Sequence, residues 1–277
     1  MIAVTPGLTL IILLAGIVAG AFGATLGLGG GIFLVPFLNL VLGLPITVAA
    51  AISLTTVIAT SSSVSAARAG QRLINLRLGM SLEVATAAGS LAGGITAQLL
   101  SEDTIRRLFA VMMAIIAILM LRTLNQRVTI AGTAVDPGLL GGQFDDPQSG
   151  GVVTYRVKRF PLALLASFVA GNVSSLLGLG GGVIKVPVLN AWCGIPLRAA
   201  AATSAFMIGV TATAGAIIYY GNGQLVPALA AAAVLGVQAG SWLGLRIGER
   251  ASNRALKLVL AAVMIVVAVI MAVRGRA

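Results

Sequence analysis

The sequence predicts an all-α polytopic membrane protein made of two five-segment repeats in inverted orientation, with broken helices at two glycine runs. Three observations carry this expectation. Of 277 residues, 58% are hydrophobic and only 9% charged, and the mean hydropathy is +1.07, whereas a soluble domain carries about a quarter charged residues. Several apolar runs reach the ~20 residues that cross ~30 Å of hydrocarbon. Finally, one pattern occurs twice: GLGGG at Gly27–Gly31 and again at Gly178–Gly182, each followed at the same distance by Val-Pro and then Asn.

The N-terminal stretch Met1–Thr9 has no basic residue ahead of its apolar run, so it reads as a retained span rather than a cleaved signal. The first repeat, residues 1–124, gives segments at about Leu8–Leu26, Ile32–Leu44, Thr47–Ala67, Gly79–Leu100 and Thr104–Leu124. The second repeat, residues 161–277, gives Pro161–Leu177, Val183–Ile195, Leu197–Tyr220, Pro227–Ile247 and Arg254–Val273. A constant shift of 151 pairs Gly20 with Gly171, Pro45 with Pro196, Ser53 with Ser204 and Gly89 with Gly240, the mark of a tandem duplication. The second segment of each half is too short to cross alone, about 20 Å of helix at ~1.5 Å per residue. It is either completed by the extended glycine run or enters and returns.

Charge counting favours the first option. If every segment crosses, thirteen of the seventeen Lys and Arg residues other than Lys185 fall on one side, as cytoplasmic loops require. An odd number of crossings per half then inverts the second half, with both termini outside. Residues 125–160 join the halves as a cytoplasmic linker, rich in Gly and Pro turns, with a short strand or hairpin near Val152. The net charge of +11 is explained by these topology signals and by anionic lipid; no aromatic-basic module for nucleic acid accompanies it. With no His and one Cys, Cys193, a Cys/His zinc site is not available, and no cofactor is expected.

The candidate site lies at the breaks. Backbone groups freed inside a bilayer cost several kcal/mol unless buried in protein or facing a watery cavity, and paired breaks in corresponding positions point to a transporter's substrate site. Gly27, Pro36, Gly178 and Pro187 are the hinge positions. Gly29, Gly30 and Gly31, with Gly180, Gly181 and Gly182, are substrate-binding candidates, because a short helix starts after each run and its free N–H groups favour an anion. Lys185, whose repeat mate is the neutral Leu34, either faces the cavity or snorkels to an interface. Asn39 and Asn190 either bond substrate oxygens or cap freed carbonyls. Thr56 and Ser204 are the hydroxyls of the third segments placed nearest the breaks. Glu83 is expected at an interface, and Tyr219 with Tyr220 in an aromatic belt. Catalysis finds no nucleophile, base or metal cluster to work with.

Two copies of G-x-G-G-G-x-x-x-V-P-x-L-N, about 150 residues apart, with a turn-rich linker and YRV-K-R after it, resemble the TauE/SafE family of sulfite and organosulfonate exporters. The resemblance covers nearly the whole chain. It implies an inner-membrane secondary transporter of sulfite or related sulfur-containing anions, coupled to the proton gradient. An anion channel, or a non-transporting sensor or subunit acting through the linker, is the alternative.

Overall fold

The computed structural model describes residues 5–26, 30–68, 73–122, 136–146, 151–248 and 253–274. They form α1 (Pro6–Leu26), α2 (Gly31–Pro36, continued by a π-type turn over Phe37–Val41), α3 (Ile46–Arg68), α4 (Leu76–Leu99) and α5 (Glu102–Arg122). A hairpin of β1 (Gly142–Asp146) and β2 (Gly151–Tyr155) follows. The second half comprises α6 (Phe160–Leu177), α7 (Gly182–Ala191), α8 (Leu197–Gly221), α9 (Pro227–Gly248) and α10 (Asn253–Arg274). Six of these helices, α1, α3, α4, α6, α8 and α9, are long and apolar enough to cross a membrane. The protein is a polytopic, mostly helical membrane protein.

Without a hydrophobic force between helices in lipid, close approach depends on small residues, and here it joins the halves. α1 lies along α9, α6 along α4, α3 against α8 and α5 along α10. A Cβ on Gly20 would run into the Val237 carbonyl, and one on Gly240 into that of Ile17; at the other pair, Gly93 sits against the Asn172 carbonyl and Gly171 against that of Thr86. The first helix of each half thus packs on the fourth helix of the other.

These contacts fix directions. Gly236, Gly240 and Gly244 meet Leu13, Ile17 and Ala21 in turn, so α1 and α9 are parallel; Gly89 and Gly93 meet Phe168 and Asn172, so α4 and α6 are parallel. α4 also runs parallel to α8. Contacts climb from the Asn75 N–H donating to Thr203 Oγ1 at 3.0 Å, through Gly79 beside Met207 and Gly94 beside Ile218, to the Gln98–Gln224 amide pair at 2.6 Å. Since α6 and α8 point the same way, α7 must bring the chain back between them. α6 and α7 are therefore a helical hairpin with both ends on one face, where the Lys158 N–H donates to the Cys193 carbonyl at 2.9 Å. The glycine run is its tip.

The same face carries the β-hairpin, paired antiparallel with Phe144 opposite Val153. Phe144, Val153 and Tyr155 are buried with Leu78, Ala163, Leu189 and Cys193, so the hairpin closes this end of the bundle. Asn75 ties it down: Oδ1 accepts the Leu78 N–H at 3.0 Å as the cap of α4, while Nδ2 donates to the Leu140 and Gly141 carbonyls at 2.9 and 3.1 Å. Burial pushes the Tyr155 phenol up from its ordinary pKa, partly offset by its bond to Asn75. Residues 123–124 and linker residues 125–135 and 147–150 lie outside the described residues, as do Gly27 and Gly29.

Candidate functional site at the paired glycine breaks

The second break is built from left-handed backbone. Gly178, Gly180 and Gly181 have φ of +72°, +80° and +65°, a region that side-chain-bearing residues enter at about 1–2 kcal/mol each. Gly178 closes α6, and the Leu179 N–H still reaches back to the Ser174 carbonyl at 3.1 Å. After Gly181 the chain turns into α7, whose first turn bonds the Lys185 N–H to the Gly181 carbonyl at 3.3 Å. At the first break Gly30 has φ of −69° and the Leu34 N–H bonds the Gly30 carbonyl at 3.2 Å. The breaks are related but not identical.

They meet. Ser53 Oγ donates to the Gly178 carbonyl at 2.6 Å, and a Cβ on Gly31 would collide with that carbonyl and with Ser53 Oγ. Gly180 lies between Val57 and Ile208, near the middles of α3 and α8, and Gly181 lies against Ser174 and the Ala170 carbonyl. The tips of both short-helix turns therefore converge where α3 and α8 pack. Ser204, the repeat mate of Ser53, is fully buried, and its Oγ has no partner among the described residues; the same holds for Ser174 and Ser175. Buried hydroxyls without partners are uncommon, and three of them belong to helices that form this centre.

One cation enters the bundle here. Lys185 is 1% exposed, and its Nζ donates to Thr211 Oγ1 at 3.2 Å. It does not snorkel; its ammonium is held inside the protein. Thr211 Oγ1 lies 2.8 Å from Glu83 Oε1 and 3.0 Å from the Met207 carbonyl, so its single hydroxyl proton goes to one or the other. Glu83 is 9% exposed, and its Oε2 has no partner among the described residues. Glu83, expected at an interface, is instead enclosed by protein: α4 packs parallel to α8 and carries the carboxylate to Thr211, the residue that also accepts from Lys185. The repeat mates of Lys185 and Glu83 are Leu34 and Val234, so the charged pair belongs to one side of the pseudo-symmetry.

Two candidates lie away from this centre. Asn39 Nδ2 donates to the Leu44 carbonyl and Asn190 Nδ2 to the Ile195 carbonyl, both at 2.8 Å. Each amide ties off the far end of its short helix, beyond Pro36 or Pro187, and Asn39 Oδ1 also accepts from Arg106 Nε at 3.3 Å. Pro36 precedes the π-type turn, whereas α7 continues as α-helix through Pro187. Thr56 is buried and donates to the Ser53 carbonyl of its own helix at 2.7 Å. Gly182 opens α7 beside Gly181, its N–H donating to the Gly180 carbonyl at 2.8 Å. Tyr219 is not an aromatic-belt residue: it is fully buried, its Oη donating to the Ser175 carbonyl at 3.0 Å, while Tyr220 is exposed. Glu83 had one signal in the sequence, since a lysine inside a bilayer needs a counter-charge and Glu83 alone among the carboxylates lies within an apolar segment.

Fold and site define a polytopic membrane protein with paired broken helices at its centre. The sequence matches the sulfite exporter TauE/SafE family over residues 12–271, and the chain belongs to that family. It is 28% identical over 245 residues to the probable membrane transporter protein YunE of Bacillus subtilis (strain 168), covering 86% of this chain and 87% of that protein. No solved structure matches it. The protein is a multi-pass transmembrane transporter of this family.

Proposed function

We propose that the protein is a secondary transporter that exports a small sulfur-containing anion, such as sulfite or an organosulfonate, by alternating access and coupled to protons. The observation that carries this reading is the convergence of Gly31 with Gly178 and Gly180, together with a buried lysine in the first turn of α7. Broken helices meeting at depth supply unpaired backbone donors and a positive helix end, and Lys185 adds a fixed positive charge. Gly29, Gly30, Gly31, Gly180, Gly181, Gly182, Lys185, Thr56 and Ser204 form the proposed binding region; Asn39 and Asn190 stabilise its supporting short helices.

The helix directions support an inverted repeat. α8 and α9 are joined by a short turn and so run antiparallel; α4, α6 and α8 share one direction, and α1 shares that of α9. α1 is then antiparallel to its mate α6, as two inverted halves require. Residues 1–124 and 161–277 are the two membrane repeats. The face bearing the β-hairpin also carries Arg77, Arg156, Lys158, Arg159 and Arg198, and this basic excess supports a cytoplasmic side for it and the linker, in a protein of the inner membrane.

The test is ligand-linked stabilisation of purified protein by sulfite, sulfate, thiosulfate, sulfoacetate and taurine. An anion at about 100 times its Kd adds about 2.7 kcal/mol. Stabilisation by a sulfur anion that disappears in Lys185→Met is expected; stabilisation that survives unchanged in the variant would remove Lys185 from the site.

A further inference from the structure

The Glu83–Thr211–Lys185 chain is asymmetric, buried and incomplete. Among the described residues Nζ meets one partner, Thr211, although an ammonium has three hydrogens to donate. Glu83 Oε2 meets none. Lys185 from α7 is the charged group that acts on Glu83; α8 contributes Thr211, a hydrogen-bond partner without charge. The α6 face against α4, with Phe168, Gly171 and Asn172, carries no titratable group. Glu83 therefore depends on one counter-charge, and on the anion-transport reading that counter-charge is also what the substrate seeks.

We infer that Glu83 is the proton-binding site of the transport cycle: a substrate anion arriving at Lys185 takes over its ammonium, and the Glu83 carboxylate, deprived of its counter-charge, takes up a proton. This rests on the anion-transport reading and names the residue through which coupling acts. In the empty protein the ammonium and the carboxylate sum to zero. A bound monoanion adds one negative charge, which one proton on Glu83 cancels: an O–H bond forms on a carboxylate oxygen, the proton comes from water on the open side, and no other bond changes. Loaded and empty centres then carry the same net charge, so neither must bury an uncompensated ion during the rearrangement. Oε2, which has no partner among the described residues, is the oxygen free to take the proton. Thr211 bridges both charges and turns its hydroxyl between Glu83 and the Met207 carbonyl as the carboxyl group changes state.

The test uses the full-length protein in detergent with methanesulfonate, a monoanion whose single acid group stays ionised at neutral pH and so releases or takes up no proton itself. Binding measured calorimetrically in buffers of different ionisation enthalpy should show uptake of about one proton per anion. Infrared difference spectra on methanesulfonate addition should show a new protonated-carboxyl C=O band, which the ligand itself cannot give, with Glu83 the carboxylate within an apolar segment that can. In Glu83→Gln, methanesulfonate should still bind while uptake and band vanish, and in Glu83→Asp both should return. Binding to the wild-type protein without proton uptake overturns the proposal and leaves the transport reading standing, as does uptake that persists in Glu83→Gln. If neither methanesulfonate nor sulfite binds the wild-type protein, the anion reading falls and this proposal with it. The wild-type calorimetry and spectra decide the matter even where a variant does not fold.

Discussion

At the scale of single residues, the centre is held by a few hydrogen bonds between halves that sequence repetition does not reveal. Ser53 Oγ satisfies the Gly178 carbonyl at 2.6 Å, whereas its mate Ser204 has no partner among the described residues. Ser53→Ala leaves a buried acceptor unsatisfied and should cost about 1–3 kcal/mol; Ser204→Ala removes a buried hydroxyl that bonds no described residue and should cost clearly less. Thermal unfolding of the two variants in one detergent checks this, and equal losses would contradict it. The positions of Gly31, Gly178 and Lys185 were legible because they recur, or conspicuously fail to recur, at a fixed shift. The Glu83–Thr211 contact was not, because it joins residues 128 apart through the packing of α4 on α8. A sequence of small and apolar residues specifies that such helices pack closely, but not which helix takes which neighbour. The same reason hid the burial of Tyr219, whose apolar surroundings look alike whether they are lipid or protein.

At the scale of elements, the glycines divide into those that let helices touch and those that let the chain turn. Gly240 belongs to the first kind, its α-carbon pressed on the Ile17 carbonyl of α1. Gly240→Leu forces α1 and α9 apart and should cost about 3 kcal/mol or more, whereas Gly7→Leu, with open space around it, should be tolerated; unfolding midpoints compare them. Gly181 belongs to the second kind, at φ +65°, and Gly181→Ala should lose about 1–2 kcal/mol from backbone conformation alone. The β-hairpin gives an element-level test of its anchor. Asn75→Asp keeps the oxygen that caps α4 but loses the amide hydrogens given to the Leu140 and Gly141 carbonyls. Proteolysis across residues 136–160 should accelerate in Asn75→Asp while helix content stays the same. In Asn75→Ala the α4 cap is lost as well, at about 1 kcal/mol. Turn residues announced a hairpin here, but its docking on Leu78 and Cys193 is tertiary and had no local signature.

At the scale of the whole molecule, the reciprocal packing of first and fourth helices makes the two halves one body around a shared centre, and the parallel run of α4, α6 and α8 sets which ends lie together. The Ser101 turn between α4 and α5 is thereby opposite the β-hairpin. Cysteines introduced at Ser101 and at Gln143, both exposed, should react with a membrane-impermeant maleimide from opposite sides of the membrane, with the native Cys193 silent because it is buried; labelling from one side would break the topology. The central claim, that the meeting point of the breaks binds and moves an anion through Lys185, is tested most directly by counterflow in proteoliposomes. Vesicles loaded with unlabelled sulfite and placed in trace labelled sulfite should transiently accumulate label when they contain the wild-type protein and should accumulate none with Lys185→Met. Equal accumulation by the two proteins would contradict the account.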